Sequence, residues 1–193
     1  MKLFACIVPL AWMVCISAQP LELKGLTIGV TTSTDLRAKF PATEIYGGYA
    51  TLKWNEHVAG KCGRQNVGPC NSAALDEMRV AGGLPGNYTI KLLDSVIESI
   101  EVTFNNGGYS VAAGALKEKY GPPTAVDNSP SQNRMGATFA NERLVWSQET
   151  GTITITMRSS KIDESRLTMA STRYLTRLRE DEAAKIKKGA KEL

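Results

Sequence analysis

Thr152-Ile153-Thr154-Ile155-Thr156-Met157-Arg158 alternates without a fault, with Ile153, Ile155 and Met157 on one side and threonines on the other. A period of two marks a strand with one face buried and one face wet. Leu144-Val145-Trp146 precedes it across the turn residues Ser147 to Gly151. Arg166 to Thr172 follows, with Leu167 and Met169 at the inward positions. Three such segments joined by short turns predict an antiparallel meander.

Working upstream, Ile100, Val102 and Phe104 alternate with Glu101 and Thr103, a further half-buried strand. Asn105-Asn106-Gly107-Gly108 is turn chemistry. Ser110 is positioned to cap a helix that runs to Tyr120, with Ala112, Leu116 and Tyr120 at four-residue spacing. Gly121-Pro122-Pro123 stops it. A polar loop with Pro130 and Gly136 then reaches about Asn141. The expected class is α+β: an antiparallel sheet made of this meander and one or more N-terminal strands, short helices packed on one face, and a C-terminal helix.

Towards the N-terminus, residues 23–30 read as one short extended segment. Thr32 with Asp35 forms a variant capping box for a helix over about 33–40, ended by Pro41. Residues 42–90 read as a glycine-rich insertion, with a strand over Tyr49 to Lys53, a short helix over Ala73 to Val80 and a strand over Tyr88 to Leu92. At the other end, 176–193 is a charged helix or tail, and the stretch from Tyr174 to Leu193 has a thin apolar stripe of Leu175, Leu178 and Ile186. Asp181 and Lys185 are spaced to pair across one turn.

Residues 1–18 carry Lys2, an uncharged apolar run from Leu3 to Ile16, and Ser17-Ala18. That order is the secretory pattern with cleavage after Ala18, so a periplasmic or secreted protein is expected. Residues 19–175 then form a single α+β domain. The formal charge of +4 falls to +3 once Lys2 is lost. So small a surplus, with no dense basic window, argues against a nucleic-acid partner. The mature chain holds no apolar run long enough for a transmembrane span.

Cys6 and Cys15 leave with the leader, and Cys62 and Cys70 remain. In an oxidising compartment they most simply form one disulfide, contributing on the order of 2–3 kcal/mol in the chain-entropy model. The competing use is a metal site with His57, the only histidine, but three ligands without a fourth and without C-x-x-C spacing fit zinc poorly. Neither a metal nor any other cofactor is expected.

No G-x-S-x-G elbow occurs, and Gly60-Lys61 lacks the upstream glycine of a phosphate loop. A catalytic reading would have to rest on an unrecognised acid pair or on His57. Glu98 shares the parity of Ile100 and Phe104, which makes it either a buried carboxylate or, by preference, the exposed start of its strand. The better candidate surface is for binding: Tyr46, Tyr49, Trp54, His57 and Arg64, beside the Cys62–Cys70 loop, because Tyr, Trp and Arg dominate binding hot spots. The plain alternative is that Tyr46 and Trp54 fill the core beneath that loop. Asn87-Tyr88-Thr89 also matches a glycosylation sequon, relevant only in a eukaryotic host.

Leu26-Thr27-Ile28-Gly29-Val30-Thr31-Thr32, with Asp35-Leu36 and Phe40-Pro41, resembles the entry motif of small exported α/β modules. These include the β-lactamase-inhibitor proteins and the small lipoprotein accessory of the outer-membrane β-barrel assembly machine. Lys119-Tyr120-Gly121-Pro122-Pro123 resembles the helix exit of the same proteins. The resemblance spans about 25 residues. It implies a helix-on-sheet fold that binds another protein, and no binding residue is carried over. The chain departs from those proteins in its long insertion and in lacking a usual lipid-anchor cysteine. The expected function is thus an exported, non-catalytic binding or accessory protein acting on an envelope or secreted protein partner, or on another envelope component; the alternative is a small periplasmic hydrolase or lytic accessory.

Overall fold

The computed structural model describes residues 19–40, 44–46, 48–52, 79–80 and 84–190. In chain order the strands are β1 (Glu22–Leu23), β2 (Leu26–Thr27), β3 (Glu44–Tyr46), β4 (Tyr49–Leu52), β5 (Arg79–Val80), β6 (Leu84–Leu93), β7 (Val96–Asn105), β8 (Ala125–Asp127), β9 (Ser131–Gln132), β10 (Thr138–Phe139), β11 (Arg143–Gln148), β12 (Gly151–Thr156) and β13 (Glu164–Ser171). The helices are α1 (Ser33–Lys39), α2 (Tyr109–Tyr120) and α3 (Thr172–Gly189), with a 3-10 turn at Asn106–Gly108. The fold is α+β as the alternation implied.

One antiparallel sheet runs β3-β4-β6-β7-β13-β12-β11-β8, with β5 beside β6. Register explains the core. Ile90, Ile100, Met169, Ile153 and Trp146 form one row across five strands, and Tyr88, Val102, Leu167, Ile155 and Leu144 form the next. All ten side chains are buried. Each contributes on the order of 1.5–3 kcal/mol from leaving water. Leu36 and Phe40 of the α1 segment and Ala112, Ala113 and Leu116 of α2 belong to the same cluster. On the opposite face the matching rows hold Thr89, Glu101, Thr168 and Thr154, and Thr103, Arg166 and Thr156, all half-buried.

Several local expectations hold. Thr32 accepts from the Asp35 amide while the Asp35 carboxylate accepts from the Thr32 amide, a complete capping box. The Thr32 hydroxyl, which donates to the Asp35 carboxylate at 2.7 Å, and then the Thr32 amide hold the Asp35 carboxyl below its ordinary pKa. Gly121 ends α2 at φ +79°, and its carbonyl accepts from Trp146 Nε1 at 2.9 Å. Other local expectations are corrected. Residues 23–30 are not one extended segment but the close of the β1–β2 hairpin, turned at Lys24 and Gly25 with positive φ. Ser110 does not cap α2. Asn105 accepts from Gly107 N and starts the 3-10 turn that leads into the helix without a side-chain cap. The loop before Asn141 contains β8, which pairs with β11, and the separate β9–β10 hairpin.

The stretch 42–90 is not wholly an insertion, since β4 and β6 are integral to the sheet. Arg79 and Val80 pair with Pro85 and Leu84 as β5, rather than ending a helix. The rest of the expected 73–80 helix, the leader 1–18 and the Cys62–Cys70 loop lie outside the described residues.

Candidate functional site

The β6–β7 turn organises one end of the sheet. Asp94 and Ser95 both adopt positive φ, +50° and +66°, the handedness that matches the strand twist in a two-residue hairpin. Immediately after the turn the register slips: Lys91 pairs with Ser99 but Leu92 pairs with Ile97. β7 therefore sets Ile97 and Glu98 against Leu92 alone, a β-bulge. Ile97 and Ile100 are both buried although they are three residues apart, and Glu98 is buried between them.

A buried carboxylate needs partners, and the start of α3 supplies them. Ser171 Oγ donates to Glu98 and accepts from Tyr174 N at 2.9 Å, so the α3 N-cap is fixed to β7. Arg173 Nη1 donates to Glu98 Oε1 at 3.1 Å, and its Nη2 donates to Asp94. The preferred expectation that Glu98 sits at the exposed start of its strand is corrected: its carboxylate is buried. Its described partners are the N-cap of α3, Ser171, and the helix's second residue, Arg173, which gives the carboxylate a structural role. Asp94 and Glu98 are bridged by one guanidinium, and this clamp holds α3 against β7, β12 and β13.

On the polar face beside this clamp lies the first candidate surface. Tyr46 pairs with Tyr49 across β3–β4, and Tyr49 pairs with Lys91 across β4–β6. Tyr49 is 54% exposed. Lys91 Nζ stands 5.4 Å from the centroid of the buried Tyr174 ring. Burial opposes the Lys91 charge, but Tyr174, Glu101 and Tyr49 outweigh it, so its ammonium pKa lies above its ordinary value. Sequence reading pointed to Tyr46 and Tyr49, and the strand register pairs their backbones across β3–β4. Lys91 and Tyr174 escaped it, because only the cross-strand register and the landing point of α3 place them here. Trp54, His57, Arg64, Cys62 and Cys70 lie outside the described residues.

No known family model, curated protein or solved structure matches this chain. Its chemistry must be read from its own residues.

Towards the opposite end of the polar face, four to six residues along the strands and so roughly 13–20 Å away by strand rise, Asn87, Thr103, Asn105, Lys161, Asp163 and Glu164 line a shallow cleft of about 210 Å³. That is below the range of pockets that enclose a small ligand, roughly 300 Å³ upward. Among the described residues, no group of three His, Cys, Asp or Glu side chains is placed to hold a metal ion. Nor, among them, is any helix long and apolar enough to cross a membrane. The Asn87 side chain is exposed on β6 between buried neighbours Gly86 and Tyr88.

Proposed function

We propose that this protein is an exported, non-catalytic binding module that engages a protein partner of the cell envelope through the Tyr46–Tyr49–Lys91 end of its polar sheet face. The observation that carries this reading is Tyr49: a large aromatic side chain left half exposed, in register with a lysine, on a rigid sheet. An aromatic ring beside a cation on a preorganised backbone is the composition of a binding anchor. The resemblance to small exported modules that bind other proteins points the same way, as does the leader-like segment 1–18. The Cys62–Cys70 loop, with Trp54 and Arg64, follows β4 directly in sequence and is included in the proposed surface.

The test is quantitative capture. Immobilised protein is exposed to envelope extract of its own host, and a stoichiometric partner is followed across Tyr49→Ala, Lys91→Ala, Trp54→Ala and Arg64→Ala. Losses of about 1–3 kcal/mol in affinity are expected for the anchors, with unfolding midpoints little changed. Unchanged capture in all four variants contradicts the surface. Hydrolysis of an envelope polymer by the purified protein, abolished by His57→Ala with the unfolding midpoint unchanged, would support the enzymatic alternative. Peptide mass mapping should find a start at Gln19 and Cys62 joined to Cys70; a retained leader or free thiols would count against the exported reading.

A further inference from the structure

β8 and β11 are antiparallel neighbours in the sheet, and such neighbours are ordinarily joined by roughly two to five residues. Here residues 128–142 lie between them. Connections of that length usually serve a function or stay disordered. This one is ordered. Ser131 pairs with Phe139 and Gln132 with Thr138, which makes the β9–β10 hairpin. Its turn closes on itself: Asn133 N donates to the Ala137 carbonyl at 3.0 Å, and Asn133 Oδ1 accepts from Met135 N at 3.0 Å and from Ala137 N at 2.9 Å. Gln132 Nε2 donates to the Gly136 carbonyl at 2.9 Å. Arg158 fixes the base. Its Nε donates to the Ala140 carbonyl at 2.8 Å, its backbone N donates to Asn141 Oδ1 at 2.8 Å, and its guanidinium lies 5.4 Å from the Phe139 ring centroid.

This order adds little to the core. From Thr124 to Ala140 only Ser131, Asn133 and Phe139 are even half-buried. At the tip Met135 is 92% exposed, the most exposed large apolar side chain among the described residues. A lone exposed methionine on a loose loop would mean little. On a turn whose backbone is already fixed, it meets a partner without the ordering cost that a flexible loop incurs. Arg134 beside it is exposed, and it is the only charged residue from Asn128 to Asn141. One cation is too little charge to hold a phosphate surface. A convex tip with one adaptable thioether fits a recess in a protein better than a flat face.

We propose that the Arg134–Met135 tip of the β9–β10 hairpin anchors a protein partner, with Met135 entering an apolar recess and Arg134 donating to acceptors at its rim. Asn133 is a positioning residue, holding the turn through its two backbone hydrogen bonds. The hairpin follows β8 at one edge of the sheet, while Tyr49 lies on β4 near the other. This anchor therefore stands or falls independently of Tyr49 and Lys91.

The experiment places a light-activated amino acid at position 137 or 138, flanking the tip, in host cells, with position 117 on the exposed side of α2 as control. One and the same adduct is expected from 137 and 138 and none from 117, with the crosslinked partner peptide lying in an apolar recess. The purified partner is then titrated against variants of this protein. Met135→Ser should weaken binding at least about tenfold and Arg134→Ala about threefold. Asn133→Ala should weaken it about fivefold although both anchor residues remain. Raising salt from ~50 to ~300 mM should change the affinity by less than about threefold, as a single cation requires. Unfolding midpoints of all three variants should match the parent protein, since the tip lies outside the core. No adduct at 137 and 138, an adduct with a second copy of this chain, or unchanged affinity in Met135→Ser overturns the proposal. A loss of tenfold or more with salt overturns it in favour of a polyanionic ligand, and unchanged affinity in Asn133→Ala overturns the positioning role.

Discussion

Arg173→Ala should destabilise this protein more than an exposed arginine normally could. Its guanidinium side chain is 54% exposed, and Asp94, one of its two partners, is 81% exposed. A pair of that kind is worth about 0–1 kcal/mol. Its other partner, Glu98, has a side chain only 4% exposed. Removing Arg173 leaves that carboxylate buried with the Ser171 hydroxyl as its remaining described donor. Stranding a fully buried charge costs roughly 3–5 kcal/mol. The half-exposed arginine lets water compensate in part, so about 2–3 kcal/mol is expected. Glu98→Gln keeps an acceptor for Ser171 and leaves Arg173 free to hydrate, so its cost should be smaller, about 1–2 kcal/mol. Asp94→Ala should stay within about 0.5 kcal/mol. Urea unfolding followed by circular dichroism ranks the three variants. In a chain of this size each kcal/mol also lowers Tm by about 2–4 °C. The reasoning is refuted if Arg173→Ala costs no more than Asp94→Ala.

Two further substitutions test the packing. Gly151→Ala should cost about 2–3 kcal/mol in the same assay, because a Cβ there would lie 2.1 Å from the Ala170 carbonyl oxygen and 2.8 Å from Leu21 Cδ1. An unchanged midpoint would mean that β12 and β13 do not pair as described. Tyr88→Phe should leave stability unchanged or raise it by up to about 1 kcal/mol, since the buried Tyr88 hydroxyl has no hydrogen-bond partner among the described residues. Burial pushes the Tyr88 phenol from 10.0 up to about 12. The unfolded phenol therefore ionises first, and stability should hold below pH 10 and fall between pH 10 and about 12. Tyr88→Phe should flatten that decline. Tyr109 adds to it in the same direction, its phenol raised by burial and by the Glu142 carboxylate that its hydroxyl meets at 2.7 Å.

What could be read from residues alone follows from how local the signal is. β12 was legible because Ile153 and Ile155 keep a strict period of two on a half-buried surface, and α1 because Thr32 and Asp35 satisfy each other within one turn. β8 was not, since Ala125, Val126 and Asp127 are all exposed and carry no apolar pattern. Asp181 was expected to pair with Lys185, yet it meets Arg177 on the preceding turn. Glu98 reads by preference as the exposed start of its strand, and the structure buries it, because the bulge and the clamp depend on register and on residues 73 and 75 positions away. The candidate surface shows the same division. Tyr46 and Tyr49 could be suspected from their residue type, while Lys91 and Tyr174 join them only through strand pairing and the docking of α3.

The central functional claim is that partners meet the polar face at its Tyr49–Lys91 end. Photo-crosslinking in host cells tests it directly, with a light-activated amino acid placed in turn at positions 49, 91, 103 and 156. The account predicts one and the same crosslinked partner from positions 49 and 91, and none from Thr103 or Thr156 at the far end of that face. Equal labelling at all four positions, or labelling confined to 103 and 156, would contradict it.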